Sequence, residues 1–195
     1  MSPAFAVVVN DFDGDGAEDV FLSQNFFATE PQTSRFDAGR GLLLRGNGHG
    51  GFNAVSGQES GIMVYGEQRG AAAADYDGDG RVDLVVTQNA TATRLYHNLR
   101  AKPGVRVRLA GPPGNPTGVG AMMRLTSGNR SGPAREIHAG SGYWSQDSPV
   151  QVLARLPDPC QLWVRWPGGH TNTATLPATA REVELSTSGQ LKVLH

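Results

Sequence analysis

The sequence predicts an all-β protein, and three observations support this fold class. Apolar residues occur in short runs separated by Gly, Pro, Asn or Asp, without the 3.6-residue spacing of an amphipathic helix. Gly (26) and Pro (12) together make up about a fifth of the 195 residues, against a usual share of roughly 12%. Val105–Leu109 and Arg181–Leu185 alternate apolar and charged residues, as half-buried strands do.

These patterns place strands along the whole chain, each bounded by turn-forming residues. In the first half the predicted strands are Phe5–Asn10, Asp19–Gln24, Leu42–Arg45, Phe52–Val55, Gly70–Ala74, Val82–Gln88 and Arg94–Asn98. In the second half they are Val105–Ala110, Val119–Thr126, Ala134–His138, Gln161–Trp166, Arg181–Leu185 and Leu191–Leu194. Pro103 and Gly104 interrupt the pattern between the halves, which predicts two domains, 1–103 and 104–195.

Charge separates the same two parts of the chain. Residues 1–103 carry 13 acids and 8 bases, whereas residues 104–195 carry 5 acids and 9 bases. No basic cluster suggests nucleic acid, and no apolar run is long enough for a membrane span. The N-terminus lacks the basic region of a signal peptide. The single cysteine, Cys160, excludes a disulfide framework and a multi-cysteine zinc site.

An acidic motif occurs twice in the first half, 64 residues apart, within Asp11–Asn25 and Asp75–Asn89. Both copies read D-x-D-G-D-G-x-x-D, so carboxylates at places 1, 3 and 5 converge if glycine at place 6 lets the chain wrap tightly. A carbonyl from place 7 and a carboxylate from place 9 complete an all-oxygen shell of the kind Ca²⁺ prefers. We therefore predict two Ca²⁺ sites with the ligands Asp11, Asp13, Asp15, Ala17, Asp19, Asp75, Asp77, Asp79, Arg81 and Asp83.

The alternative interpretation of both motifs is a solvated Asp/Gly-rich turn. Four carboxylates within nine residues repel one another without a counter-ion, and the repetition makes coincidence improbable. An EF-hand needs Glu at place 12, where this chain has Leu22 and Val86 inside predicted strands. The metal is therefore expected to hold a turn between strands.

These motifs resemble a known combination of families. The acidic loops after small-residue strands resemble FG-GAP/VCBS repeats of integrin-type β-propellers, and Gly41–Val55 resembles the outer hairpin of such a blade. The second half resembles the ASPIC/UnbV domain of cartilage-acidic-protein-like secreted proteins, on the motifs Gly118–Ala121, Arg135–Ile137, Gly140–Gln146 and Val164–Gly169. Ser148–Leu153 departs from the phenylalanine-glycine-leucine-glycine stretch usual in that family.

The resemblance implies propeller blades in residues 1–103, followed by a small β-sandwich or barrel-like domain. Residues 1–103 supply fewer than two blades, and a propeller needs four to eight. The resemblance therefore favours the C-terminal part of a longer extracellular or periplasmic protein with further blades upstream. A short intracellular protein is the alternative.

We expect a non-catalytic, calcium-binding extracellular module that binds a protein or glycan. The alternative is a C-terminal ligand-binding or regulatory region of a larger secreted enzyme. Tyr143, Trp144, Trp163 and Trp166 are candidates either for core packing or for an exposed ligand platform.

Catalytic patterns in the sequence are weak. Gly46–Gly51 matches a dinucleotide-loop pattern, but a predicted strand follows it, so a hairpin turn is expected. Cys160 with His170, and Glu136 with Asp147, are candidate catalytic pairs that no spacing supports. We therefore expect no enzyme activity in this chain.

Overall fold

A computed structural model describes residues 2–140 and 142–195, and its architecture is almost entirely β. Ser141, which belongs to the ASPIC/UnbV-like motif Gly140–Gln146, lies outside the described residues. The first sheet is an antiparallel meander of four strands in chain order: β1 (Ala4–Asn10), β2 (Asp19–Gln24), β3 (Leu42–Gly46) and β4 (Phe52–Val55). A one-turn helix, α1 (Gly57–Ser60), follows and is capped by the Ser56 side chain.

The second sheet repeats this meander with three strands: β5 (Glu67–Ala74), β6 (Asp83–Asn89) and β7 (Thr91–Tyr96). Its register reproduces that of the first sheet 64 residues earlier, because Val8 pairs with Phe21 and Ala72 pairs with Val85. Both β1 and β5 also carry a register irregularity at the corresponding position. The sequence repeat is therefore a structural repeat of a blade-like sheet, and residues 2–103 hold one four-stranded and one three-stranded sheet.

Two facing sheets form the second half of the chain. One has the strand order β12-β8-β15-β16, made of β8 (Val105–Ala110), β12 (Gln151–Leu153), β15 (Glu182–Ser186) and β16 (Leu191–Val193). The other has the order β10-β9-β13-β14, with β11 also on β9; its strands are β9 (Met122–Ser127), β10 (Arg130–Ser131), β11 (Arg135–Glu136), β13 (Gln161–Arg165) and β14 (Thr171–Thr175). The two sheets stay separate within the described residues, which gives the sandwich form of the expected domain.

Each half has its own hydrophobic core. In the second half, alternate residues of both sheets meet, as Val107 and Val183 of one sheet and Leu162 of the other are fully buried. In the first half, the two blade-like sheets pack face to face through residues such as Phe21 and Val86. Val152 of β12 joins this second cluster. The boundary predicted between residues 103 and 104 lies between β7 and β8 and stays a prediction.

Polar contacts tie the halves together. Arg135 is buried and binds both carboxylate oxygens of Glu18, at 2.8 and 3.1 Å. Asp147 accepts a hydrogen bond from the Ala73 N–H at 2.7 Å, and the Ser148 N–H donates to the Ala73 carbonyl at 2.9 Å. The sandwich is thereby held against the loop between β1 and β2 and against β5.

Several predicted strands differ from the observed ones. The strand predicted at Val119–Thr126 begins only at Met122, because Gly118 and Gly120 take left-handed turns with φ of 72° and 80°. Ala134–His138 shortens to Arg135–Glu136. Four elements were not predicted: α1, β10, β12 and β14. No helix among the described residues is long and apolar enough to cross a membrane.

Candidate metal centres

The first acidic loop connects β1 to β2 and wraps around the carboxylate of Asp11. One oxygen of Asp11 accepts hydrogen bonds from the N–H groups of Gly14 (2.7 Å) and Asp15 (3.1 Å), and the other accepts from Gly16 (2.8 Å). Gly14 and Gly16 both have positive φ, of 72° and 91°, which this tight path requires. The loop conformation is therefore set by its own aspartates and glycines.

Asp19 closes the first loop from its far end. Its two carboxylate oxygens accept hydrogen bonds from the N–H groups of Phe12 (2.8 Å) and Gly46 (2.9 Å), so it joins the loop to β3. Burial raises the pKa of Asp19 to about 6 and also raises the pKa of Asp11, despite the hydrogen bonds that favour ionisation. Because ionisation of Asp19 is unfavourable in the folded state, the loop loses stability as pH rises from the ordinary carboxyl pKa of 3.8 towards the folded-state pKa of about 6. A bound cation would offset this loss of stability.

The second loop connects β5 to β6 and repeats the pattern. Asp75 accepts hydrogen bonds from the N–H groups of Gly78 (2.8 Å), Asp79 (3.1 Å) and Gly80 (2.8 Å). Asp83 takes the place of Asp19, since it accepts from the N–H of Tyr76, the residue that corresponds to Phe12, at 3.1 Å. Burial likewise raises the pKa of Asp83.

Asp83 differs from Asp19 in its second partner. Its other oxygen accepts from the N–H of Asn98, just beyond β7, at 2.7 Å, whereas Asp19 reaches Gly46 of β3. The first loop is thus anchored to the third strand of its sheet, and the second loop to the segment that follows the third strand of its sheet. The two loops share one geometry built on equivalent residues.

Both loops gather carboxylate oxygens closely enough to share a cation. Asp11, Asp13 and Asp15 form one group whose ligand atoms lie within 4.8 Å of one another. In the second loop, Asp75, Asp77 and Asp83 form such a group. Hard oxygen donors at this spacing fit Ca²⁺, which takes 6–8 oxygen ligands at roughly 2.3–2.6 Å. The acidic groups could therefore hold a metal ion.

The remaining predicted ligands have other contacts. Asp79 groups with Asp77 and His97, and its carboxylate accepts from the Arg81 N–H at 2.9 Å. Burial alone would raise the pKa of Asp79, but the Arg81 guanidinium holds it below its usual value. The N–H of Ala17 donates to Asp15 at 2.7 Å. The carbonyl ligation predicted for Ala17 and Arg81 stays a prediction.

The loops differ in their neighbouring cations. In the second loop Arg106 pairs with Asp75 at 2.5 Å, Arg81 pairs with Asp79 at 2.5 Å, and His97 lies 2.9 Å from Asp77. In the first loop Arg45 pairs with Asp13 at 2.9 Å. Sequence reasoning missed His97 and Arg106, because they reach the loop through strand pairing and through packing of the sandwich. Arg135 also pairs with Glu18 of the first loop at 2.8 Å, so two arginines lie at each loop.

The structure separates the four candidate aromatic residues. The Trp166 ring is buried, and its indole N–H donates to Asn172 at 2.6 Å, while Arg124 lies over the ring of Trp163. Trp144 is 89% exposed and stacks on Tyr143, with ring centroids 5.6 Å apart. Its φ of 49° is unusual for a bulky residue. Only this pair forms an accessible aromatic surface among the four.

The structure shows where the weak catalytic candidates of the sequence lie. Gly46–Gly51 spans the β3–β4 hairpin, as expected, and Cys160 is buried in the sandwich core. Glu136 and Asp147 line one cleft of about 280 Å³ between the halves, together with Glu18 and His138.

Comparison with known families agrees with this architecture. The family model described as "FG-GAP-like repeat" matches residues 11–86, and the model described as "ASPIC and UnbV" matches residues 111–192. No curated protein matches the chain. The repeated acidic loops on paired sheets and the sandwich that follows therefore identify an FG-GAP-like repeat region joined to an ASPIC/UnbV domain.

Proposed function

We propose that this chain is a non-catalytic, calcium-stabilised module of an extracellular protein that binds a protein or glycan ligand. The observation that supports this proposal is the pair of loops in which the equivalent aspartates Asp11 and Asp75 accept the same backbone hydrogen bonds, and in which each loop brings three carboxylates within 4.8 Å of one another. Calcium would act structurally, because both loops join antiparallel strands and no helix pair flanks them in the described residues. FG-GAP-like repeats favour an extracellular location.

Calorimetric titration with Ca²⁺ and Mg²⁺ tests the metal part. We expect two Ca²⁺ sites in the wild-type protein, a preference over Mg²⁺, and a lower melting temperature in chelator, since a ligand that binds only the folded state stabilises it. Asp13→Asn and Asp77→Asn should each remove one site. Asp37→Asn changes an exposed aspartate outside both loops and is the matched control. Failure to bind Ca²⁺, with a melting temperature indifferent to chelator, would overturn the proposal.

A second candidate is a ligand-binding or regulatory region of a larger secreted enzyme. The exposed, stacked pair Tyr143–Trp144 favours it, because an open indole face can stack on a sugar ring. Glycan-array binding should be lost in Trp144→Ala and retained in Trp163→Ala, whose ring faces Arg124. Equal binding by both variants would remove this candidate.

A further inference from the structure

One position beside the acidic loops carries different side chains in the two sheets. Strand pairing makes Leu44 of β3 equivalent to Tyr96 of β7, because both lie opposite the same place of the preceding strand. The residues that follow them, Arg45 and His97, are therefore equivalent. Each precedes the residue whose N–H binds the last aspartate of its loop. A guanidinium thus flanks the first loop at the position where an imidazole flanks the second.

Both side chains contact the aspartate at place 3 of their own loop. Nε of Arg45 lies 2.9 Å from Oδ2 of Asp13. Nε2 of His97 lies 2.9 Å from Oδ2 of Asp77. A guanidinium keeps its protons and has no lone pair to offer, whereas a neutral imidazole has a free ring nitrogen and is a common metal ligand. The same position therefore excludes a metal–nitrogen bond in the first loop and offers one in the second.

The structure positions the His97 ring at the carboxylates of the second loop. The ring packs edge-on against Tyr76, with centroids 5.6 Å apart and planes at 75°. Its Nε2 also lies 3.8 Å from Oδ2 of Asp79. The ligand atoms of Asp77, Asp79 and His97 lie within 4.8 Å of one another, whereas the group at the first loop contains only aspartates among the described residues. The His97 side chain is 38% exposed, so an ion can reach it from solvent.

Ligand chemistry separates the two loops. Oxygen donors alone suit Ca²⁺, whereas imidazole together with carboxylates suits first-row transition metals such as Zn²⁺. We propose that the second loop binds a divalent transition metal of this class through Nε2 of His97 together with Asp77 and Asp79, and that the first loop does not. This inference rests on the proposed function, because it takes both loops as metal sites. It adds a difference in ion preference that the shared motif does not encode.

Arg81 is the group that such an ion must displace. Its guanidinium pairs with Oδ2 of Asp79 at 2.5 Å, and its Nε donates to the Ala101 carbonyl at 2.8 Å. Release of Asp79 breaks one partly exposed ion pair, of a kind that contributes little to stability, and leaves the hydrogen bond to Ala101 in place. Arg81→Gln removes the competing charge and should therefore strengthen binding of the transition metal.

Titration of the full chain with Co²⁺, followed by visible absorption and calorimetry, tests the inference, with Co²⁺ standing in for the colourless Zn²⁺. We expect one Co²⁺ site per wild-type chain. His97→Gln should weaken it by at least the roughly 10–100-fold that loss of an outer-shell partner costs at metal sites. Arg45→His places an imidazole beside the first loop and should add a second Co²⁺ site. His49→Gln removes another exposed histidine, in the β3–β4 hairpin, and is the matched control that should bind as the wild type does.

Titration of the same proteins with Ca²⁺ separates this inference from the proposed function. Two bound Ca²⁺ without a Co²⁺ site, equal Co²⁺ binding at both loops of the wild type, or Co²⁺ binding unchanged in His97→Gln would each overturn the inference and leave the calcium sites standing. A chain that binds Co²⁺ through His97 but no Ca²⁺ would support the inference and overturn the calcium part of the proposed function. A chain that binds neither ion would overturn both.

Discussion

At the residue scale, Glu67 shows how a buried carboxylate is kept ionised. It is nearly inaccessible at the start of β5, yet it accepts hydrogen bonds from Asn89 (2.8 Å), the Phe27 N–H (3.1 Å) and Arg69 (2.5 Å). Burial, the largest effect, would raise its pKa. The hydrogen bonds from these three groups and the charge of Arg69 outweigh burial and lower the pKa below 4.5.

Glu67→Gln should therefore destabilise the protein in a pH-dependent way. The folded-state pKa lies below the unfolded value, so the stabilisation is present above about pH 4.5 and is lost as pH falls through the folded-state pKa. Hydrogen bonds to charged groups contribute about 1.5–3 kcal/mol to stability. We therefore expect Glu67→Gln to lower the free energy of unfolding by about that amount at pH 7. Urea unfolding at pH 7 and pH 3 measures it. If Glu67→Gln lowers the free energy of unfolding equally at both pH values, or by as little as substitution of the exposed Glu30 by Gln, then Glu67 is not stabilised in its ionised form.

At the element scale, the two acidic loops share a backbone path but have different surroundings. Gly14 and Gly78 occupy the same place in the motif, with φ of 72° and 81°. A Cβ on Gly14 would overlap the backbone of Lys102, which lies between β7 and β8 and donates to the Asp13 carbonyl. A Cβ on Gly78 would meet nothing closer than Arg106, at 4.0 Å.

Alanine at these two positions should therefore have unequal costs. Both substitutions strain a left-handed conformation, by about 1–2 kcal/mol. Only Gly14→Ala also forces the Lys102 backbone to move, which adds about 1–3 kcal/mol of overpacking. Chemical denaturation of the two variants compares them directly. Equal losses of stability would show that Gly14 of the first loop does not pack against the Lys102 backbone.

Local patterns predicted most of the strands and both loops. Asp19–Gln24, Phe52–Val55 and Val105–Ala110 match the observed elements, because alternation and turn residues agree there. β14 (Thr171–Thr175) has three threonines, which favour strands, but it lacks the apolar run used to place the strands, so it was not predicted; it pairs with β13. His97 and Arg106 reach the second loop only through tertiary packing, which a linear motif does not encode.

At the scale of the whole molecule, arginines connect the acidic loops to the sandwich. Arg106 of β8 bridges Asp75 of the second loop and Glu182 of β15, at 2.5 and 3.0 Å. Arg135 of β11 bridges Glu18 of the first loop and Asn10 at the end of β1. Since each loop is tied to the sandwich by a largely buried guanidinium, calcium binding and the docking of the halves are expected to be energetically linked.

Arg135 should be the strongest of these links. Its side chain is 7% exposed, binds both oxygens of Glu18 and donates to the Val152 carbonyl at 2.8 Å, so removing the charge of Glu18 leaves a buried guanidinium without its ion-pair partner. Breaking a buried pair costs about 3–5 kcal/mol, whereas an exposed pair such as Arg45–Glu59 contributes about 0–1 kcal/mol.

A double-mutant cycle with Arg135→Met and Glu18→Gln, followed by urea unfolding, measures the coupling between them. We expect a coupling of about 2–3 kcal/mol, near the upper end for residues in contact, against at most about 1 kcal/mol for Arg45→Met with Glu59→Gln. The Arg135 variants should also unfold in two resolved transitions, because the blade-like sheets and the sandwich have separate cores. A single transition with negligible coupling would mean that apolar contacts such as Val152 hold the halves together instead.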